Sequence, residues 1–110
     1  MSSHATLFSF IETKLFTRLV SRYMTDDEFR GLQNALLENP EAGDVIPHTG
    51  GVRKLRWRAE GRGKRSGYRV IYFLRPDRET IWLLTMYPKN AADNISAQTL
   101  KQIRAEIEKT

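Results

Sequence analysis

The sequence predicts an α+β fold: a small, curled, antiparallel-rich sheet of about four strands, two N-terminal helices packed on one of its faces, and a C-terminal helix closing the chain. Three observations lead to it. Two capped stretches between Lys14 and Glu38 repeat apolar residues at helical spacing, three stretches between Val52 and Tyr87 read as strands, and a third helical stripe follows Ser96.

The elements follow in order. Leu7 to Glu12 alternates as a short strand and runs into Leu15, Phe16, Leu19, Val20 and Tyr23, a helical stripe for which Thr13 is the N-cap. Thr25 and Glu28 form a T-x-x-E capping box, with Met24 and Phe29 placed as a hydrophobic staple. Phe29, Leu32 and Leu36 then form the second stripe, which Asn39 and Pro40 terminate. Glu41 to Gly51 is punctuated by Gly43, Pro47, Gly50 and Gly51 and is expected to be loop. Val52 to Arg58 alternates, with Arg53, Leu55 and Trp57 on one side and Lys54, Arg56 and Arg58 on the other. One side packs and the other is basic. After a Gly/Lys/Arg connection from Ala59 to Gly67, two strands apolar on both faces, Tyr68 to Arg75 and Thr80 to Tyr87, are joined through Pro76 and Asp77 and belong in the sheet centre. Ser96 caps the closing helix, Ile95 and Leu100 staple it, and Leu100, Ile103 and Ile107 form its stripe. The expected order is β-α-α-β-β-β-α.

A chain of 110 residues holds one core, so residues 1–110 are expected to be a single domain. Its 40% hydrophobic and 28% charged residues are those of a folded globular protein. With no cysteine there is no disulfide framework, no thiolate-held metal and no cysteine nucleophile. No apolar run approaches the roughly 20 residues that span a bilayer, and Met1-Ser2-Ser3-His4 does not open a secretory signal. A cytoplasmic protein without a membrane partner is expected.

Charge is the first pointer to function. Residues 1–50 carry four basic groups against seven acidic ones, a net of −3, and residues 51–110 carry fourteen against six, a net of +8. Arg53, Lys54, Arg56, Arg58, Arg62, Lys64, Arg65 and Arg69 crowd one stretch opposed only by Glu60, a footprint suited to a polyanion. Taken alone, such a run is more often a solvated edge that blocks sheet aggregation. Familiar catalytic sets are missing: there is no HExxH, no carboxylate cluster for a pair of metal ions and no Gly-rich phosphate loop. No cofactor or metal is expected. His4 and His48 sit in unrelated contexts, and His48 in P-H-T-G-G has the surroundings of a surface loop histidine. Arg69 shares a strand face with Ile71 and Phe73, so its charge lies against an apolar floor and needs an anionic partner. If the neighbouring strand pairs antiparallel, Arg56 converges on the same surface, where two guanidinium forks would suit phosphate oxygens. The same spacing would also serve a structural cross-strand network.

The segments G-G-V-R-K-L-R-W-R, G-K-R-S-G-Y-R-V-I-Y-F-L and W-L-L-T-M-Y-P-K-N, from Gly50 to Asn90, resemble the active-site half of RelE/HigB-type toxins. G-D-V-I-P-H-T-G-G from Gly43 and the element order are similar to the HigB-like branch, so the resemblance covers nearly the whole chain. It implies an architecture like that of small microbial ribonucleases and cleavage of mRNA in the ribosomal A site. The implied reaction is attack of a 2′-hydroxyl on the adjacent phosphate without a metal. By position, Arg56 matches the strand residue at the scissile region, Arg69 the arginine that neutralises the phosphate in the transition state, and Lys89 a basic residue after the last strand. Lys54, Arg58, Arg62, Lys64, Arg65 and Asn90 are the implied RNA contacts. The sequence departs from the RelE pattern at Asn90, where a second arginine is usual, and at Ser96, near the usual catalytic tyrosine. Tyr68, Tyr87, Lys64 and His48 are the local substitutes for proton transfer, and Tyr68 is placed in the candidate catalytic set with the three cations. The implied partners are the ribosome with its mRNA and a cognate antitoxin, in this branch a helix-turn-helix, HigA-like protein. Two alternatives stand beside this: a non-catalytic RNA- or ribosome-binding module, and an interaction protein whose basic face docks an acidic partner.

Overall fold

The computed structural model describes residues 8–58, 67–89, 91 and 95–110. β1 (Ser9–Glu12) leads into α1 (Lys14–Tyr23), which starts where the Thr13 hydroxyl accepts the Phe16 N–H at 3.0 Å. The Thr13 hydroxyl also donates to the Leu84 carbonyl at 2.7 Å, tying the helix start to the sheet. α2 (Asp26–Glu38) opens with the complete capping box: Thr25 Oγ1 accepts from Glu28 N–H, and Glu28 Oε1 accepts from Thr25 N–H. It ends at Asn39.

The segment from Glu41 to Gly51 is not all loop. Asp44–Val45 pairs antiparallel with β3 (Arg53–Trp57) as a two-residue strand, β2, so the sheet has five strands where about four were expected. Two residues are too few to leave an alternating pattern. The Ile46 N–H donates to the Val52 carbonyl and closes the turn between these strands, and Thr49 is buried inside it. β4 (Tyr68–Arg75) and β5 (Thr80–Pro88) are joined by the 3-10 turn Pro76–Arg78, and α3 (Ala97–Glu108) begins at Ser96, whose hydroxyl accepts from Thr99 N–H. The sheet order is β1-β5-β4-β3-β2, with β1 parallel to β5 and every other pair antiparallel. β4 is central, as its two-sided apolarity predicts.

The sheet buries both faces. On one, Phe16, Val20, Leu32 and Leu36 of the two helices pack on Tyr68, Val70, Tyr72, Ile81, Leu83 and Met86. On the other, Leu100 and Ile107 of α3 pack on Ile71, Phe73, Leu84 and Val52. Each fully buried large side chain contributes about 1.5–3 kcal/mol. Tyr72 is completely buried, and its hydroxyl donates to the Pro40 carbonyl at 2.6 Å and accepts the Gly43 N–H at 2.9 Å, binding the segment after α2 to the sheet. Arg75 is buried too, donating to the Ile107 carbonyl at 2.8 Å in the last turn of α3.

The register of β4 on β5 slips by one residue between Ile71 and Tyr72. Thr85 pairs with Ile71 and Leu83 with Tyr72, so Leu84 between them is the extra residue of a β-bulge, and Ile81, Leu83 and Met86 belong to the α1/α2 side while Trp82, Leu84 and Tyr87 belong to the α3 side. Among the described residues, no helix is long and apolar enough to cross a membrane.

Candidate functional site

α3 covers the β4 face that carries Ile71 and Phe73, but the row nearest the start of β4 holds three polar-tipped side chains. Arg56 pairs with Arg69, and Arg69 pairs with Tyr87, so the three stand side by side across β3, β4 and β5. Facing residues in adjacent strands lie about 5 Å apart at Cα, so the two guanidinium groups project together. Arg69 is half-buried and Arg56 exposed. Neither makes an ion pair among the described residues.

Lys89 joins them from just beyond β5. Its N–H donates to the Gly67 carbonyl at 2.8 Å, which ties the end of β5 to the start of β4. Gly67 itself passes so close to β3 that a Cβ there would stand 2.3 Å from the Trp57 carbonyl oxygen. Only glycine allows that approach. Arg56, Trp57, Arg58, Gly67, Arg69 and Lys89 together line an open cleft of about 410 Å³. Four of those six residues are cationic and none is acidic. A cleft walled by one sign of charge focuses the field and attracts a polyanion.

The structure brings Arg56, Arg69 and Lys89 to one cleft, with Arg58 beside them. Lys54 lies on the same face two residues along β3, opposite Ile71. Tyr68 is a correction to the candidate catalytic set. Its ring packs on Tyr23 at 5.5 Å between centroids and its hydroxyl donates to the Tyr23 carbonyl at 3.2 Å, on the α1/α2 side of the sheet. Adjacent residues of a strand point to opposite faces, so a neighbour of Arg69 cannot share its surface. His48 stands in the turn before β3, with φ of 66°, at the end of the strand away from Arg56. Arg62, Lys64, Arg65 and Asn90 lie outside the described residues. Among the described residues, no group of three or more His, Cys, Asp or Glu could hold a metal ion. The residue that strand alternation alone did not put beside Arg69 is Tyr87, because its side depends on the bulge at Leu84.

The family model for the RelE toxin of the RelE/RelB toxin–antitoxin system matches residues 10–109. The chain belongs to the RelE toxin family. The matched span runs from β1 through α3 and includes every residue lining the cleft. Among solved structures, this RelE-family chain is similar to an arginine double mutant of the E. coli toxin RelE in the free state. That match has a TM-score of 0.58 and 14% sequence identity, and covers 89% of this chain and 97% of the other. It is also similar to a chain of the intact E. coli RelBE toxin–antitoxin complex, with a TM-score of 0.50, 15% identity, and coverage of 72% and 93%. At such identities the likeness is one of fold, and the expected α+β architecture is the one these structures share.

Proposed function

We propose that this RelE-family toxin is a ribosome-dependent mRNA endoribonuclease of the HigB-like branch, acting in the cytoplasm as a single 1–110 unit. One observation carries the proposal: two arginines without ion-pair partners among the described residues stand side by side in a cleft completed by Lys89, and none of the described residues lining it is acidic. The substrate phosphate would sit over Arg56 and Arg69. Attack of the ribose 2′-oxygen forms a phosphorane, and expulsion of the 5′-oxygen leaves a 2′,3′-cyclic phosphate, which water can open to a 3′-phosphate, and a 5′-hydroxyl. The 2′-hydroxyl gives up a proton and the leaving oxygen gains one. Preorganised cations stabilise the dianionic phosphorane, each well-placed donor contributing about 3–4 kcal/mol. A cleft of this charge repels a divalent cation, which agrees with chemistry that needs no metal.

Tyr87, one strand from Arg69, is the phenol nearest this phosphate in register and takes the proton-transfer role here. Phenols are weak acids and bases at neutral pH, so positioning of the RNA by the ribosome must remove much of the barrier, a contribution that reaches on the order of 7–11 kcal/mol. Lys54 and Arg58 extend the basic face along β3 and, with Arg62, Lys64, Arg65 and Asn90, would hold the flanking backbone. The partners proposed are the ribosome, its mRNA and a cognate antitoxin of the helix-turn-helix, HigA-like type.

The position of Tyr68 favours a second reading, a non-catalytic RNA- or ribosome-binding module, since it removes one proton-transfer candidate from the cleft. One experiment separates the two. Purified protein is given translating ribosomes or the same mRNA free in solution, and 5′-hydroxyl ends are mapped. Cleavage only on ribosomes is expected. Efficient cutting of naked RNA would sink ribosome dependence, and ribosome binding without new ends would establish the binder.

A further inference from the structure

On the far side of the sheet from the cleft, α1 carries a surface that RNA cleavage does not use. We propose that the outward flank of α1 docks an acidic amphipathic helix of a partner protein. Leu15, Arg18, Leu19 and Arg22 fall at i, i+3, i+4 and i+7, one flank of the helix, and with Ser21 they line an open groove of about 520 Å³. Leu15 is one of few large apolar side chains left substantially exposed among the described residues, at 38%. Leu19 is only partly covered, because Phe16 and Val20 occupy the side that meets the core.

Charge selects the occupant. α1 contains Lys14, Arg18 and Arg22 and no carboxylate. Neither groove arginine has an ion-pair partner among the described residues, and the nearby carboxylates are engaged elsewhere. Glu12 accepts from the Thr17 hydroxyl, Asp27 pairs with Arg30, and Glu28 caps α2. The surface is thus a pair of leucines edged by two uncompensated cations, and its complement is a helix with an apolar stripe edged by Glu or Asp. Ten residues of α1 give a groove roughly 15 Å long, enough for about three turns of a partner helix. Nucleic acid fits less well, because its phosphates would leave Leu15 and Leu19 against water, whereas the row of Arg56, Arg69 and Tyr87 contains no leucine.

α1 packs on the face bearing Val70 and Tyr72, while Arg69 points from the other. A helix seated on α1 therefore leaves the basic cleft open, and partner and RNA can be held together. The surface is defined by α1 alone, so it stands whether or not the cleft cuts RNA.

The test uses a fluorescent, helix-constrained peptide of about four turns with leucines spaced three and four residues apart and flanked by glutamates, beside the same peptide with lysines for glutamates. Anisotropy titrations should show the glutamate peptide binding at least about tenfold more tightly than the lysine peptide. Amide shift changes should centre on residues 15–22. Leu15→Glu should weaken binding at least about tenfold, and Arg18→Glu with Arg22→Glu should reverse the preference toward the lysine peptide. These positions are solvent-facing, and unchanged melting temperatures will show that the variants fold. A short RNA bound in the cleft should not displace the peptide. Equal affinity for both peptides, no binding of either, displacement by RNA, or markedly tighter binding by a chain starting at Phe8, which would make the N-terminal residues the groove's own occupant, would each overturn the proposal.

Discussion

Arg56 on β3 stands directly opposite Arg69 on β4, two like charges at one cross-strand position. Like charges so placed destabilise a sheet, by roughly 0.2–1 kcal/mol relative to a neutral pair. Arg69 adds the loss of hydration that comes with half-burial against Ile71 and Phe73. The site is therefore held at some cost in stability, which a phosphate would offset on binding.

Arg69→Met should raise stability while abolishing function. The urea midpoint is expected to move up, corresponding to roughly 0.2–1 kcal/mol, with growth arrest and ribosomal mRNA cleavage lost. Ribosome binding should stay within a few-fold, because one phosphate contact among many adds little to affinity. Undiminished arrest by the folded variant would remove Arg69 from the reaction.

Arg56→Lys separates a fitted phosphate site from a diffuse basic patch. Lysine keeps the charge but replaces a planar fork with a single ammonium, so single-turnover cleavage on the ribosome should fall at least about tenfold, roughly 1.4 kcal/mol of transition-state stabilisation. The control is Arg30→Lys on α2, where an exposed pair with Asp27 at 3.3 Å contributes little and rates should match wild type. If Arg56→Lys also cuts at the wild-type rate, geometry at Arg56 does not matter.

Tyr72→Phe tests how the segment after α2 is held. The change strands the buried Gly43 N–H and the Pro40 carbonyl, and should cost about 1–3 kcal/mol at neutral pH by urea unfolding. Burial pushes the Tyr72 phenol above its ordinary value of 10.0, outweighing the Gly43 hydrogen bond and Arg53, which pull it down. Below pH 10 folded and unfolded chains both keep the proton; above it the unfolded chain releases its proton first, so stability falls until the raised folded value is passed. Wild type should therefore lose more stability than Tyr72→Phe between pH 8 and pH 11, about one unit above that ordinary value. Parallel losses would show that the phenol titrates normally.

Local chemistry was the legible part of this chain. Thr13, the Thr25–Glu28 box and Ser96 each do the capping their positions predict, because a cap depends on residues within one turn. Strand faces were equally readable over Arg53–Trp57 and Tyr68–Arg75, where alternation runs unbroken and puts Arg56 with Arg69. Tyr68 shows the limit of choosing by residue type: a phenol next to Arg69 in sequence is, on a strand, turned to the opposite face. β2 went unseen because Asp44–Val45 is set by pairing with β3 rather than by its own pattern. Tyr87 was missed as a neighbour of Arg69 because sheet pairing, not composition, puts a bulge at Leu84.

That extra residue sets a parity. Counted from Trp82, Tyr87 is an odd number of residues away, and only the bulge lets both face α3. Straightening the strand at constant length would turn Met86 toward the cations and bury Tyr87 near Tyr23, whereas removing the extra residue would restore strict alternation and leave both on their present faces. The length of this short stretch and its bulge are thus coupled, and neither can change alone without exchanging the two faces beyond it. Loss of the bulge alone would take Tyr87 away from Arg56 and Arg69 in a chain that still folds over most of its sheet, while loss of the bulge together with its extra residue would leave the row of Arg56, Arg69 and Tyr87 in place.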